Sequence, residues 1–485
     1  MNLNTVISNM QQVHREKFHK LIRLTFNKYP KSKKRIPRSK ISEHHVKEMV
    51  ASGLCEKVTE KCRVTSNIFL VPEIEKHRFR VITWPIELNS NITEIYKEMG
   101  TFSLNDITET FVIVQDSTHG AVIDLKCSFY QVGLSTAQGD AFIFKANDQR
   151  YRMKKLPMGL STSAEIMQLI CTQLTEKCNQ VHIVVHIDNI LIAGSKDKVN
   201  EAVSTILETA KSQDITVGEC LSGSQVEAFG FRFDFQSQEV TISAKKLIKI
   251  KALRDVQWQS LTIREFLAHY GKIFYYARAM WSHSTSTNCL SDHFNSIQLL
   301  RQTARKITET DYLTLDTELH LTNTDISSIK KMLESLLRSP AVPLTSLKRK
   351  FLTVTSDASN TGAGWIVRDE NNNILREMST DSTDDLRHIN EKELHSLGLA
   401  IKACSQMIKE PHQISWYSDN ITAITVLEKK SSASRTLNDV LRFVQHMSQI
   451  YNLPVTRSKW IPTAQNEADE LSRIGIVTDV WKTLC

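Results

Sequence analysis

No stretch of the 485 residues comes near the ~18 uninterrupted apolar positions of a membrane span. The N-terminus has no signal-peptide core either. A membrane role and secretion are therefore not expected. No Cys-x-x-Cys pair occurs, and the nine cysteines are an odd number, widely scattered. That argues against a disulfide framework and a zinc ribbon, and for a reducing, intracellular setting in cytoplasm or nucleus. Cys55, Cys62 and His77 fall near one another, but their spacing fits no standard metal site, and buried thiols are expected instead. Internal repeats and low-complexity segments are also missing. What is present is globular in balance, 41% hydrophobic and 24% charged. The length exceeds the ~250–300 residues at which one core stops growing, so two or more domains are expected.

The net charge of +8 is unevenly spread. Residues 1–40 hold 11 of the 61 Lys and Arg and one acid, Glu16, so the remaining 445 residues are nearly neutral. The excess is densest at KSKKRIPRSK (31–40). Such a basic arm suits nucleic acid or a nuclear address, and equally a solvated tail.

A mixed α/β stretch follows from about Ile41 to Ile250, then a mostly helical one to about Leu337, then a linker at RSPAVPLTSLKRK (338–350). In the helical stretch, REFLAHYGKIFYYARAM (264–280) places Phe266, Leu267, Tyr270, Ile273, Phe274, Ala277 and Met280 on one face, with Arg264, Lys272 and Arg278 on others. The apolar face is expected in the core, with the basic flank available to a duplex backbone. From Phe351 the pattern predicts β-β-β-α-β-α-α-β-α, a mixed sheet with packed helices.

Two groups of acids carry chemistry. Asp124 ends the short apolar strand AVID, and VHIVVHIDNILIAG (181–194) reads as two strands joined by a hairpin turn at Asp188-Asn189. Two carboxylates ~4 Å apart repel by roughly 4 kcal/mol at an effective dielectric near 20, so such a pair implies a cation or a shared proton. Taken singly, an Asp in such a place is more often a turn residue.

The flanking blocks change the balance. IDLKCSFYQVGLS (123–135), LPMGLSTSAEIMQ (156–168) and HIDNILIAG (186–194) resemble three successive blocks of reverse transcriptases. VPEIEKHRFRVITWPIELN (71–89) resembles their fingers block, and AFGFRFDFQSQEVTIS (228–243) the turn before the thumb. The resemblance implies that Asp124 and Asp188 ligate catalytic metals, with Asn189 beside them. Phe129 would lie under the incoming sugar and select deoxynucleotides, though an ordinary core aromatic is the alternative there. Arg80 would hold the triphosphate, with Lys76 a second candidate. Leu156-Pro157-Met158-Gly159 would turn over template and nucleotide, with Gly159 allowing close backbone approach.

Two positions depart from the family. The hairpin usually reads aromatic-x-Asp-Asp and here reads His186-Ile187-Asp188-Asn189, which keeps an oxygen ligand but loses a charge. The fingers block has Trp84 and Ile86 where an Asp and an Arg are usual.

The second group is Asp357 in the first C-terminal strand, Glu393 on the first helix, Asp419 after the fourth strand and Asp469 on the last helix. Asp and Glu are mostly exposed, so scattered surface acids are the alternative. Together with the strand order, the four resemble the Asp-Glu-Asp-Asp set of ribonuclease H over roughly Phe351–Ile474, and WIPTAQNEADELSR (460–473) resembles retroelement versions. Glu391 competes with Glu393, but Glu393 directly precedes the apolar helix stripe.

The expected architecture is an α+β multidomain chain. A basic arm (1–45) is followed by fingers and palm of a right-hand polymerase (46–248), a mostly helical thumb and connection (249–345), a ribonuclease H-like mixed sheet with helices (351–476) and a tail (477–485). The resemblance implies an RNA-directed DNA polymerase with hybrid ribonuclease activity, using two Mg²⁺ ions per site, or Mn²⁺. Its partners would be RNA template, DNA primer, RNA–DNA hybrid and deoxynucleoside triphosphates. No protease Asp-Thr/Ser-Gly, integrase zinc motif or zinc knuckle is present, which fits a stand-alone polymerase unit. The motifs resemble most those of tyrosine-recombinase-type (DIRS-like) retrotransposons, and the Asp-Asn hairpin is similar to that of VIPER elements. A weakened copy acting as a nucleic-acid-binding scaffold is the other reading, favoured by Asn189, Trp84 and Ile86.

Overall fold

The structure, a computed structural model, describes all residues except 28–38, 40, 61, 74–77, 101, 103, 105–106, 283–315, 320, 339–340, 345–349, 382–384, 409–411, 430–431, 433, 452, 474–477 and 482–485. Lys76, His77, most of the 31–40 basic run and much of the 338–350 linker therefore lie outside the described residues. The chain divides into two units, Met1–Val240 and Thr241–Cys485.

The first unit begins with helices rather than an extended arm: α1 (Leu3–Asn9) and α2 (Gln12–Asn27). Val6, Met10, Phe18, Leu21 and Leu24 are buried in the unit's core, an apolar spacing that the density of positive charge conceals. Three bases of α2 are used internally. Lys17 Nζ lies 3.0 Å from the buried Glu165 Oε1, Lys20 Nζ donates to Glu98 O at 2.7 Å, and Arg15 donates to Ser8 O and Met10 O.

Further along the chain is an antiparallel hairpin, β1 (Asn67–Glu73) with β2 (Arg78–Trp84). The central sheet is built from β3 (His119–Leu125), β4 (His182–His186), β5 (Asn189–Gly194) and β6 (Val217–Gly223), all antiparallel, in the order β4-β5-β3-β6. A further antiparallel hairpin follows, β7 (Gln225–Ala228) with β8 (Phe231–Asp234). Strand alternation decides what faces where. Ala121, Ile123 and Leu125 of β3 join Ile190 and Ile192 of β5 in the core with helices Ser163–Thr175 (α3) and Lys196–Ser212 (α4). Asp124, between two of these inward positions, is left on the opposite face of the sheet. None of the seven described cysteines is in a disulfide; Cys55 is buried as expected, and Cys62 is only half-buried.

In the second unit, α5 (Ile263–Ser282) buries Phe266, Tyr270, Ile273, Ala277 and Met280, while Leu267 and Phe274 are half-buried and Arg264 and Lys272 exposed. Helix α6 (Asn323–Leu337) packs against it. The C-terminal sheet has six strands. Strands β9 (Lys350–Ala358), β10 (Gly362–Arg368) and β11 (Ile374–Asp381) are antiparallel neighbours. After helix α7 (Ile389–Ser405), β12 (His412–Ser418) pairs in parallel with β9. Helices α8 (Ile421–Lys429) and α9 (Arg435–Ile450) lead to β13 (Val455–Trp460), which pairs in parallel with β12. Helix α10 (Ala468–Arg473) ends the expected order. One strand goes beyond it. Residues expected as a tail include β14 (Thr478–Trp481), which pairs with β11 at the sheet edge.

Two glycines set how α10 docks. A Cβ on Gly364 would stand 2.5 Å from Leu471 Cβ and 2.7 Å from Ser472 N, and one on Gly362 would stand 2.7 Å from Ser472 O. With no side chain on either, the helix lies directly on β10.

Candidate active site

In the C-terminal sheet, the parallel pairing of β9 with β12 sets Asp357 and Asp419 at neighbouring strand ends. Helix α7 crosses behind β9. A buried tie holds the three elements, since Ser356 Oγ accepts from Ser396 Oγ and from Trp416 Nε1, each at 2.9 Å. Oxygens of Asp357, Glu393 and Asp419 all lie within 4.8 Å of one another. Asp357 and Glu393 are each 4% exposed, and Glu393 Oε2 is buried without a hydrogen-bond partner.

Burial, then the charges of Asp357 and Asp419, pushes the Glu393 carboxyl up to about 9. Burial also raises Asp357, to about 6; Ser472 opposes the shift, and Asp419 and Asp469 add to it. Asp469 stands outside the three-acid group, half-buried on α10, with Oδ1 2.7 Å from Arg473 Nη2. Glu391 is not part of the group, because its carboxylate accepts from Thr436 Oγ1 on α9.

In the first unit, Asp124 pairs directly with Asn189 across β3 and β5, and Asp188 is the adjacent turn residue. The two-residue turn is Ile187-Asp188, one position earlier than expected, because His186 and Asn189 close the ladder. Ile187 takes φ +62°, a costly conformation for a β-branched residue. Gln168 of α3 holds it there: its Oε1 accepts the Ile187 N–H at 2.7 Å and its Nε2 donates to Val185 O at 2.9 Å. Ser128 Oγ donates to Asp188 Oδ2 at 2.6 Å, and Asn189 Nδ2 donates to Asp188 Oδ1 at 3.2 Å. On the other side of β3, Glu219 of β6 also pairs with Asp124. One cross-strand row therefore carries Asn189, Asp124 and Glu219 on one face.

Residues 72–219 match the family described as "Reverse transcriptase (RNA-dependent DNA polymerase)", and residues 352–474 match the family described as "Reverse transcriptase-like". The chain carries a reverse transcriptase domain and, after it, a ribonuclease H-like domain. By fold it is a reverse transcriptase-like polymerase joined to a ribonuclease H-like domain. No curated protein matches it. Among solved structures it is similar to the foamy viral protease-reverse transcriptase dRH in complex with double-stranded DNA, at 12% identity and TM-score 0.52, covering 94% of this chain and 81% of that one. It is also similar to the foamy viral protease-reverse transcriptase in complex with RNA/DNA hybrid, at 14% identity and TM-score 0.51, covering 95% of this chain and 63% of that one. At these identities the likeness is one of fold.

The reverse transcriptase domain sets its LPMG block against the fingers hairpin. Thr83 N–H and Oγ1 both donate to Met158 O, at 2.9 and 3.0 Å, and Asn89 Nδ2 donates to Gly159 O at 2.8 Å. Gly159 has φ +98°, and a Cβ there would fall 1.9 Å from Thr83 O, so only glycine fits. Pro157 is buried and its carbonyl accepts from Ser163 Oγ at 2.9 Å. Phe129 is half-buried against the core. Arg80 is exposed and ion-pairs with Glu73, which also accepts from Arg78 Nε at 2.6 Å. Trp84 is exposed, and Ile86 opens the Ile86–Ser90 helix half-buried.

In the ribonuclease H-like domain two further side chains reach the acids. Asn466 Nδ2 donates to Asp357 Oδ1 and Asp419 Oδ1, and Ser472 Oγ donates to Asp357 Oδ2 at 2.5 Å. Gln168, Ser128, Glu219, Asn466 and Ser472 were all passed over in the sequence. Only proximity to a motif could have marked them, since Ser128, Gln168, Asn466 and Ser472 fall within the family-like blocks and Glu219 does not.

The raised carboxyls give a pH prediction. A raised acid keeps its proton longer in the folded state than in the unfolded one, so its stabilisation is complete below the ordinary carboxylate range. It is lost as pH climbs through the folded value. In EDTA, the melting temperature of the ribonuclease H-like domain is expected to fall between about pH 5 and pH 9, through the values for Asp357 and Glu393. Thermal melts across that range check it, and Glu393→Gln should remove most of the slope.

Proposed function

We propose that this chain copies RNA into DNA at Asp124 and Asp188 and cuts the RNA strand of the resulting hybrid at Asp357, Glu393, Asp419 and Asp469. The observation that carries this is the convergence of Asp357, Glu393 and Asp419, with an unpartnered buried oxygen on Glu393. Oxygen-only donor sets suit Mg²⁺, and Mn²⁺ after it. When bound, paired divalent cations supply an activated hydroxyl or water and charge stabilisation of the leaving oxygen.

The chain's own groups do the rest. Asp124 and Asp188 would hold the polymerase cations, and Ser128 and Gln168 fix the turn that presents Asp188. Phe129 presents a ring that a ribose 2′-hydroxyl would strike. Arg80 exchanges Glu73 for the triphosphate, with Lys76 as a second cation. Pro157, Met158 and Gly159 form the surface over which template and nucleotide lie. At the second site, Glu393 and Asp357 would hold the cations, and contacts to 2′-hydroxyls would tell RNA from DNA. The block at 460–473 supports assignment to a tyrosine-recombinase-type, DIRS-like retrotransposon, and Asp188-Asn189 supports a VIPER-like one.

The test is extension of a DNA primer on end-labelled RNA in Mg²⁺ or Mn²⁺, reading copying and cutting together. Extension with shortening of the label is expected. Duplex binding that survives EDTA, with no extension in either metal, would instead establish the scaffold reading that Asn189 favours. Asn189→Asp is expected to raise the extension rate or widen metal use, as it restores a charge to the row shared with Asp124. Unchanged rate and metal dependence would remove Asn189 from the ligand set.

A further inference from the structure

We propose that Asn466 is a positioning residue that holds Asp357 and Asp419 together in the metal-free enzyme and yields that place to the cation. This rests on the ribonuclease reading above. Asn466 is 3% exposed. Its Nδ2 donates to Asp357 Oδ1 at 3.1 Å and to Asp419 Oδ1 at 3.2 Å, with Ser356 O at 3.4 Å, while its Oδ1 accepts the Ala468 N–H at 3.3 Å. The orientation is dictated by chemistry, because ionised carboxylates only accept, and a flipped amide would press a third oxygen against two others. The two N–H groups thus do weakly what a divalent cation does strongly: they place positive charge between two acids that repel.

The outer supports of the acids are separate. Ser472 Oγ holds the other oxygen of Asp357, and Trp460 Nε1 donates to the Asp419 carbonyl at 2.8 Å. Both acids therefore keep a tether when the amide withdraws. Asp357 and Asp419 would help to hold a cation, and the Oδ1 of each is engaged by Nδ2, so amide and cation would compete for them. Asn466 sits just before α10, whose close docking on Gly362 and Gly364 brings it to the acids.

The experiment compares the full chain with Asn466→Ala and the milder Asn466→Ser, by thermal melting in EDTA and in Mg²⁺, and by the Mg²⁺ concentration that half-saturates hybrid cleavage. Both variants are expected to melt lower than wild type in EDTA and to recover most of the loss in Mg²⁺. The half-saturating Mg²⁺ of Asn466→Ala should fall by about tenfold, since a competing charge-assisted contact is gone. Recovery should vanish when Asp357→Asn is added. Equal losses with and without Mg²⁺, or no loss in either, would overturn the proposal. Failure of the underlying ribonuclease reading is distinguishable, because Asp357→Asn alone would then cut hybrids at the wild-type rate.

Discussion

Asp357→Asn is expected to slow hybrid cleavage by about a thousandfold or more while primer extension continues at the wild-type rate. The size follows from what the change removes. Asp357 sits within 4.8 Å of Glu393 and Asp419, and its charge is part of what draws cations to that point. Losing several kcal/mol of cation-borne stabilisation at ~1.36 kcal/mol per decade gives a loss of that order. The fold should survive, since Asn is isosteric and removes a charge whose burial, with repulsion from Asp419 and Asp469 added, holds Asp357 near 6. Single-turnover cleavage of a labelled hybrid, beside primer extension by the same preparation, measures both. A loss of less than tenfold in cleavage would mean that Asp357 does not hold a catalytic cation.

Asp124→Asn should have the mirror effect: extension abolished by a comparable factor, with cleavage of a preformed hybrid retained. Asp124 lies in a sheet row whose partner across β5 is already an amide, Asn189. Removing the Asp124 charge leaves Asp188 with Glu219 as the acids nearest the turn, and Glu219 lies on the far side of β3. A polymerase site that has lost one carboxylate has little margin for losing another. Retained extension would argue that nucleotide addition is centred elsewhere. Equal loss of both activities would point to misfolding instead, which a circular dichroism melt would reveal.

What could be read in advance divides along a physical line. Acids at strand ends were legible, because short continuous apolar runs such as AVID and HIVVH announce a strand and the acid that ends it is conspicuous. The β-β-β-α-β-α-α-β-α order was legible for the same reason. Asn466, Gln168 and Ser128 were not, because an amide or hydroxyl has no periodicity, and its role depends on partners 19 to 109 residues distant. The helices at the start of the 1–45 basic arm were not legible for a different cause: counting charge conceals the spacing of Val6, Met10, Phe18, Leu21 and Leu24, which hold them down. The hairpin turn was placed one residue late because Asp-Asn is the better turn dipeptide. Tertiary support from Gln168 lets Ile187 occupy a position that local preference would refuse it.

The bare surface of β10 reaches further than packing. Asp469, Ser472 and Asn466 all come to the acids through a single short helix and the residues just before it, and that helix rests where Gly362 and Gly364 have nothing to put in its way. Two hydrogens thus stand guard over the blade: a methyl in place of either would lift the helix and take hybrid cleavage with it, though every acid remained in the chain.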